Sequence, residues 1–86
     1  MELVIVERVF AEPLQLEALQ ARMQTGEGCH MAHRVRFIRT LLSSDGLRAI
    51  CEYEAPDAEA VRAVNRQLDA PYERIWTARV ISSEHR

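Results

Sequence analysis

Lysine is absent from this 86-residue chain, whose 11 basic side chains are all arginine. Chemistry that needs an amine nucleophile or a P-loop lysine is therefore excluded. Neither sign of charge dominates. With 13 acids against 11 bases the formal net charge is -2, and no run of like charge could draw in a phosphate backbone or an anionic membrane. Nucleic acid is not an expected partner. The longest apolar run covers only residues 3–6, far short of the roughly 20 that cross a bilayer, and Met1-Glu2 lacks the basic start of a signal peptide. No membrane partner is expected, and the cytoplasm is the expected location. Cysteine is scarce too. Cys29 and Cys51 could make at most one bridge, and in an intracellular chain they read as free thiols rather than a disulfide framework.

What is present fits one small domain covering residues 1–86. Hydrophobic residues make up 48% of the chain, and length scaling predicts that about 64% of the unfolded surface is buried, a thin core. Residues 3–10 are rich in β-branched side chains and predict a strand. Pro13 fits a first helical position, and Leu16, Leu19 and Met23 form one apolar stripe ending near Gly26 and Gly28, so a helix is expected there. Residues 34–42 and 47–54 read as a β-hairpin around the turn cluster Ser43-Ser44-Asp45-Gly46. Asp57 caps a second helix with inward Val61, Val64 and Leu68. Pro71 ends it, and residues 75–81 predict a last strand.

The order β-α-β-β-α-β predicts an α+β, ferredoxin-like domain: a four-stranded antiparallel sheet with both helices on one face. Strand alternation divides the sheet into two sets. Val4, Val6, Phe10, Ile38, Thr40, Leu42, Leu47, Ala49, Cys51, Tyr53, Trp76, Ala78 and Val80 are assigned to the helices. The other parity holds Leu3, Ile5, Val9, Val35, Phe37, Leu41, Ile50, Ile75 and Ile81, interspersed with Glu7, Arg39, Glu52, Glu54 and Arg79. That second face is too apolar to leave wet on a monomer. The expected assembly is a homodimer with sheet packed on sheet, of the dimeric α/β-barrel type. A β-bulge would exchange the two sets beyond it.

Charges within a covered face must be paired, protonated or ligand-bound. Glu7 and Arg39 could be a structural ion pair, or could line a polar pocket between subunits that holds an anion or a metal. Glu52 and Glu54 lie about 7 Å apart on one strand face, a spacing that permits a shared cation. The loop Cys29-His30-Met31-Ala32-His33 offers a different chemistry. Thiolate and imidazole suit nickel, zinc or copper, so Cys29, His30 and His33 are candidate metal ligands; solvated loop histidines are the plainer reading. Cys51 reads as a small core residue rather than a nucleophile, and Tyr53 and Trp76 as core aromatics.

The first-strand run Leu3-Val4-Ile5-Val6-Glu7-Arg8, the stretch Val35-Arg36-Phe37-Ile38-Arg39-Thr40 with Asp45-Gly46, and above all the segment Cys51-Glu52-Tyr53-Glu54-Ala55-Pro56 resemble a family of small bacterial ferredoxin-like proteins. That family is usually labelled a domain of unknown function or a nickel-binding protein. The resemblance implies a dimeric ferredoxin-like fold and nickel, or another divalent transition metal, as the cofactor. Carried over by position, it matches Glu7, Arg39, Asp45, Cys51, Tyr53, Glu54 and Arg62, and from these it implies Glu7, Arg39, Cys51, Tyr53 and Glu54 as a ligand-binding set. Glu52 departs from the family pattern, which is apolar there.

Two functions follow as expectations. One is a non-enzymatic metal-binding protein using His30, His33 and Cys29, or the inner carboxylates, as ligands. The other is a small-molecule-binding module or small enzyme of the dimeric α/β-barrel kind, with Glu7 and Arg39 orienting polar groups.

Overall fold

A computed structural model describes residues 1–15, 17 and 33–83. Most of the expected first helix, together with Cys29 and His30, lies outside the described residues. Within them the chain runs β1 (Glu2–Val9), β2 (Arg36–Leu42), β3 (Arg48–Ala55), α1 (Ala58–Gln67) and β4 (Arg74–Ala78). The strands form one antiparallel sheet in the order β2-β3-β1-β4. This is an α+β fold with one helix among the described residues.

The hairpin turn is built as its residues demand. The Ser43 hydroxyl donates to Asp45 Oδ1 at 2.6 Å, and the same oxygen accepts the Leu47 amide at 3.0 Å. Gly46 sits at a φ of +75°, where a side chain is strained, and a Cβ there would lie 3.1 Å from the Pro13 Cβ. Helix α1 starts where Asp57, in extended backbone, accepts the Ala60 amide at 2.8 Å. Its inward Val61 and Val64 are fully buried against Val4, Val6, Cys51, Tyr53, Ala55 and Ile75.

Two expectations about facing are corrected. Between Phe37 and Arg39 the β2–β3 register slips by one residue, a bulge that leaves Phe37 opposite Tyr53 and Arg39 opposite Glu52. Before the bulge the parity is inverted. Phe37 packs against the core, its ring 5.6 Å from that of Tyr53 in edge-on geometry, and Val35 is buried with it. Beyond the bulge Thr40 and Leu42 face the helix side as expected. Strand β4 is inverted throughout, because Ile75 pairs with Val6 and Thr77 with Val4. Ile75 therefore joins the core, whereas Trp76 and Ala78 turn to the face opposite the helix.

One charged side chain lies within the core. Arg8 shares the inward parity of Val4 and Val6 and is buried. Its guanidinium donates to the Pro71 carbonyl at 2.8 Å, to Asn65 Oδ1 at 2.8 Å and to the Tyr53 hydroxyl at 3.4 Å. Asn65 is held in turn by its own amide, which donates to the Val61 carbonyl at 2.8 Å. Among the described residues the cation is thus satisfied by neutral oxygens that tie β1 to α1 and to the loop after it.

Candidate functional site

The face of the sheet opposite α1 collects most of the charges singled out in the sequence. Cross-strand pairing arranges them in rows. Arg36, Glu54, Leu3 and Ala78 make one row. Arg39, Glu52, Ile5 and Trp76 make the next. Leu41, Ile50, Glu7 and Arg74 make the third.

Arg39 Nε donates to Glu52 at 3.0 Å, and Arg36 Nε to Glu54 at 3.2 Å. The expected Glu7–Arg39 pair does not form. Glu7 Oε2 instead accepts the Trp76 indole N–H at 2.6 Å, across the β1–β4 boundary. The reason is register: Arg39 lies directly across from Glu52, whereas two strand spacings separate β2 from β1. Glu52 and Glu54, considered above for a shared cation, are each engaged by an arginine of their own.

Apolar side chains fill the space around these pairs and remain wet. Leu41 is 50% exposed, Ile50 40% and Trp76 42%. Ile5 is buried although it lies on the same face, in register with Glu52 and Trp76. At the end of the sheet nearest the hairpin turn, Glu7, Val9, Leu41, Ser43, Arg48 and Ile50 line a cleft of about 360 Å³.

The sheet divides the ligand-binding set that the resemblance implied. Glu7, Arg39 and Glu54 share the open face, while Cys51 and Tyr53 point into the core beneath α1. Cys51 Sγ accepts the Thr40 hydroxyl at 3.3 Å. Burial pushes the Tyr53 phenol up from its ordinary value of 10.0, the neighbouring Cys51 adds to the shift, and Arg8 opposes it. His33 is the described member of the metal-ligand candidates. It is half-buried, with Nε2 3.3 Å from Gln67 Oε1. Among the described residues no three His, Cys, Asp or Glu side chains converge as a metal site. Arg79 lies beyond β4 and is exposed.

The residues that sequence reasoning missed are Arg8 and Trp76. Arg8 carried a signal, since its parity matches Val4 and Val6. Trp76 carried none, because only its pairing with Ile5 turns it outward.

A family model described as Nickel responsive protein SCO4226-like matches residues 5–77. The chain belongs to this family. The crystal structure of SCO4226 from Streptomyces coelicolor A3(2) has the same fold, with a TM-score of 0.82 at 16% identity, covering 93% of this chain and 99% of that one. At that identity the likeness concerns the fold alone. No curated protein matches the sequence. Membership in the SCO4226-like family bears out the resemblance to a small bacterial family with nickel-related members. Among the described residues no helix is long and apolar enough to cross a membrane.

Proposed function

We propose that this protein is a small nickel-binding member of the SCO4226-like family. It folds as a single ferredoxin-like domain and works as a homodimer of the dimeric α/β-barrel type. The observation that carries this reading is the match of residues 5–77 to a nickel responsive family. The sheet order β2-β3-β1-β4 is the order of a ferredoxin-like domain and supports that part of it. The wet Leu41, Ile50 and Trp76 support a sheet-to-sheet homodimer.

Cys29, His30 and His33 would hold the metal. One thiolate and two imidazoles form a donor set suited to nickel, and the half-buried His33 ring keeps access to solvent. Bound there, the ion would supply a ligand-exchanging charge centre next to the start of β2. Equilibrium dialysis with nickel tests this, comparing the unaltered chain with the double variant His30→Ala, His33→Ala. Loss of the bound ion in the double variant is expected; unchanged stoichiometry and affinity would remove the loop as the site.

A second reading is supported by the cleft of about 360 Å³, which is of ligand-pocket size and is lined by the charged residues Glu7, Arg8 and Arg48. In that reading the protein is a small-molecule-binding module whose polar group on the sheet is Glu7. A thermal-shift screen of metal-free protein separates the two: a small organic molecule that binds the cleft should raise the melting temperature of the unaltered chain and less so that of Glu7→Gln.

A further inference from the structure

The cleft at the hairpin end of the open face holds two opposite charges that do not meet. In the β1–β3 ladder Glu7 lies across from Ile50, and Val9 across from Arg48. Glu7 and Arg48 are therefore diagonal neighbours on one face, about 7 Å apart at Cα. Both line the cleft, yet neither makes an ion pair among the described residues. Glu7 directs Oε2 away toward β4, to the Trp76 indole N–H at 2.6 Å, which leaves Oε1 without a hydrogen bond among the described residues. The Arg48 side chain donates no hydrogen bond among them either. The nearby Asp45 feels its charge, but Asp45 Oδ1 already accepts the Ser43 hydroxyl and the Leu47 amide. Arg8 also lines the cleft, with its guanidinium committed to Pro71, Asn65 and Tyr53.

The wall between the two charges is apolar. Val9, Leu41 and Ile50 line it and are exposed. We propose that this cleft binds a free α-amino acid with an apolar side chain, whose carboxylate is held by Arg48, whose ammonium is held by Glu7, and whose side chain covers Val9, Leu41 and Ile50.

The charge pattern selects this class of ligand. A simple organic anion would lie against Glu7 and a simple cation against Arg48, and like charges brought together in a cleft repel. A dipolar molecule meets both with the right sign, and a guanidinium matches a carboxylate with two parallel hydrogen bonds. The cleft volume of about 360 Å³ sits near the lower end of the range for ligand pockets, which suits a molecule of a few carbons.

The site rests on the small-molecule reading, and an amide NMR titration of the full, metal-free chain tests it with L-leucine, N-acetyl-L-leucine and L-leucinamide as probes. Leucine should shift the amides of Val9, Arg48 and Ile50 and saturate at least 10-fold below either blocked compound, each of which lacks one charge. Glu7→Gln keeps an oxygen acceptor for the Trp76 indole, and Arg48 is exposed, so both positions can be neutralised within the folded chain. Glu7→Gln should weaken leucine about 10-fold and leave N-acetyl-leucine unchanged, and Arg48→Gln should weaken leucine about 10-fold and leave leucinamide unchanged, the effect of one charge-assisted contact in each case. Blocked compounds that bind as tightly as leucine, or variants that weaken all three probes equally, overturn the amino-acid site while the small-molecule reading stands. If none of the three binds at millimolar concentration the site is overturned, and the small-molecule reading falls with it when the thermal-shift screen is also blank.

Discussion

The two faces of the sheet handle charge in opposite ways. Beneath α1, among the described residues, one arginine, Arg8, is buried, and it donates to the oxygens of Pro71, Asn65 and Tyr53. On the open face Arg36 and Arg39 are exposed, and each is paired with a carboxylate, Arg39 with Glu52 and Arg36 with Glu54. The difference teaches that a visible ion pair is a poor guide to energetic weight. A pair in water exchanges one set of favourable contacts for another, whereas the buried Arg8 guanidinium ties oxygens of β3, α1 and the loop after it to one donor.

The sharpest way to break that comparison is Arg8→Ala. Stripping the buried Asn65 and Tyr53 oxygens and the half-buried Pro71 carbonyl of their donor should cost about 3 kcal/mol, measured by urea denaturation. A cost below that of an open-face substitution would invert the ranking of the faces. At the start of the covering helix, Asp57→Ala removes the cap on the Ala60 amide and should cost about 1 kcal/mol by the same measurement. On the open face, Arg39→Ala removes an exposed partner of Glu52 and should cost about 0.5 kcal/mol, shrinking further in high salt.

The smallest effect at neutral pH comes from Tyr53. Its phenol titrates above the ordinary 10.0 in the folded state, chiefly through burial. Above pH 10 the unfolded chain therefore holds fewer protons than the folded one, and stability should fall as pH rises through the folded value. The contribution is fully present below pH 10. Tyr53→Phe should flatten that alkaline decline in thermal melts; an equally steep decline in the variant would show that another group is responsible.

Much of the fold was legible in the residues. The β-branched runs, the Ser43-Asp45-Gly46 turn, the Asp57 cap and the inward Val61 and Val64 all took the structure their chemistry requires, because each depends on neighbours a few positions away. The candidate site was legible only in part. Glu7, Arg39 and Glu54 were correctly placed on the face away from the helix, but their partners were not, since an ion pair depends on which strand lies alongside and in what register. Trp76 was assigned to the wrong side for the same reason, and Phe37 because of the bulge.

By itself the sequence determined that this chain makes strands, a capped helix and a sheet with apolar residues on both sides. Only the tertiary structure decided which parity faces α1 in β4 and at the start of β2. Alternation along a strand divides its residues into two sets without saying which set is inside. That choice is made by hydrogen-bond register with β1 and β3, and one extra residue at a bulge reverses it.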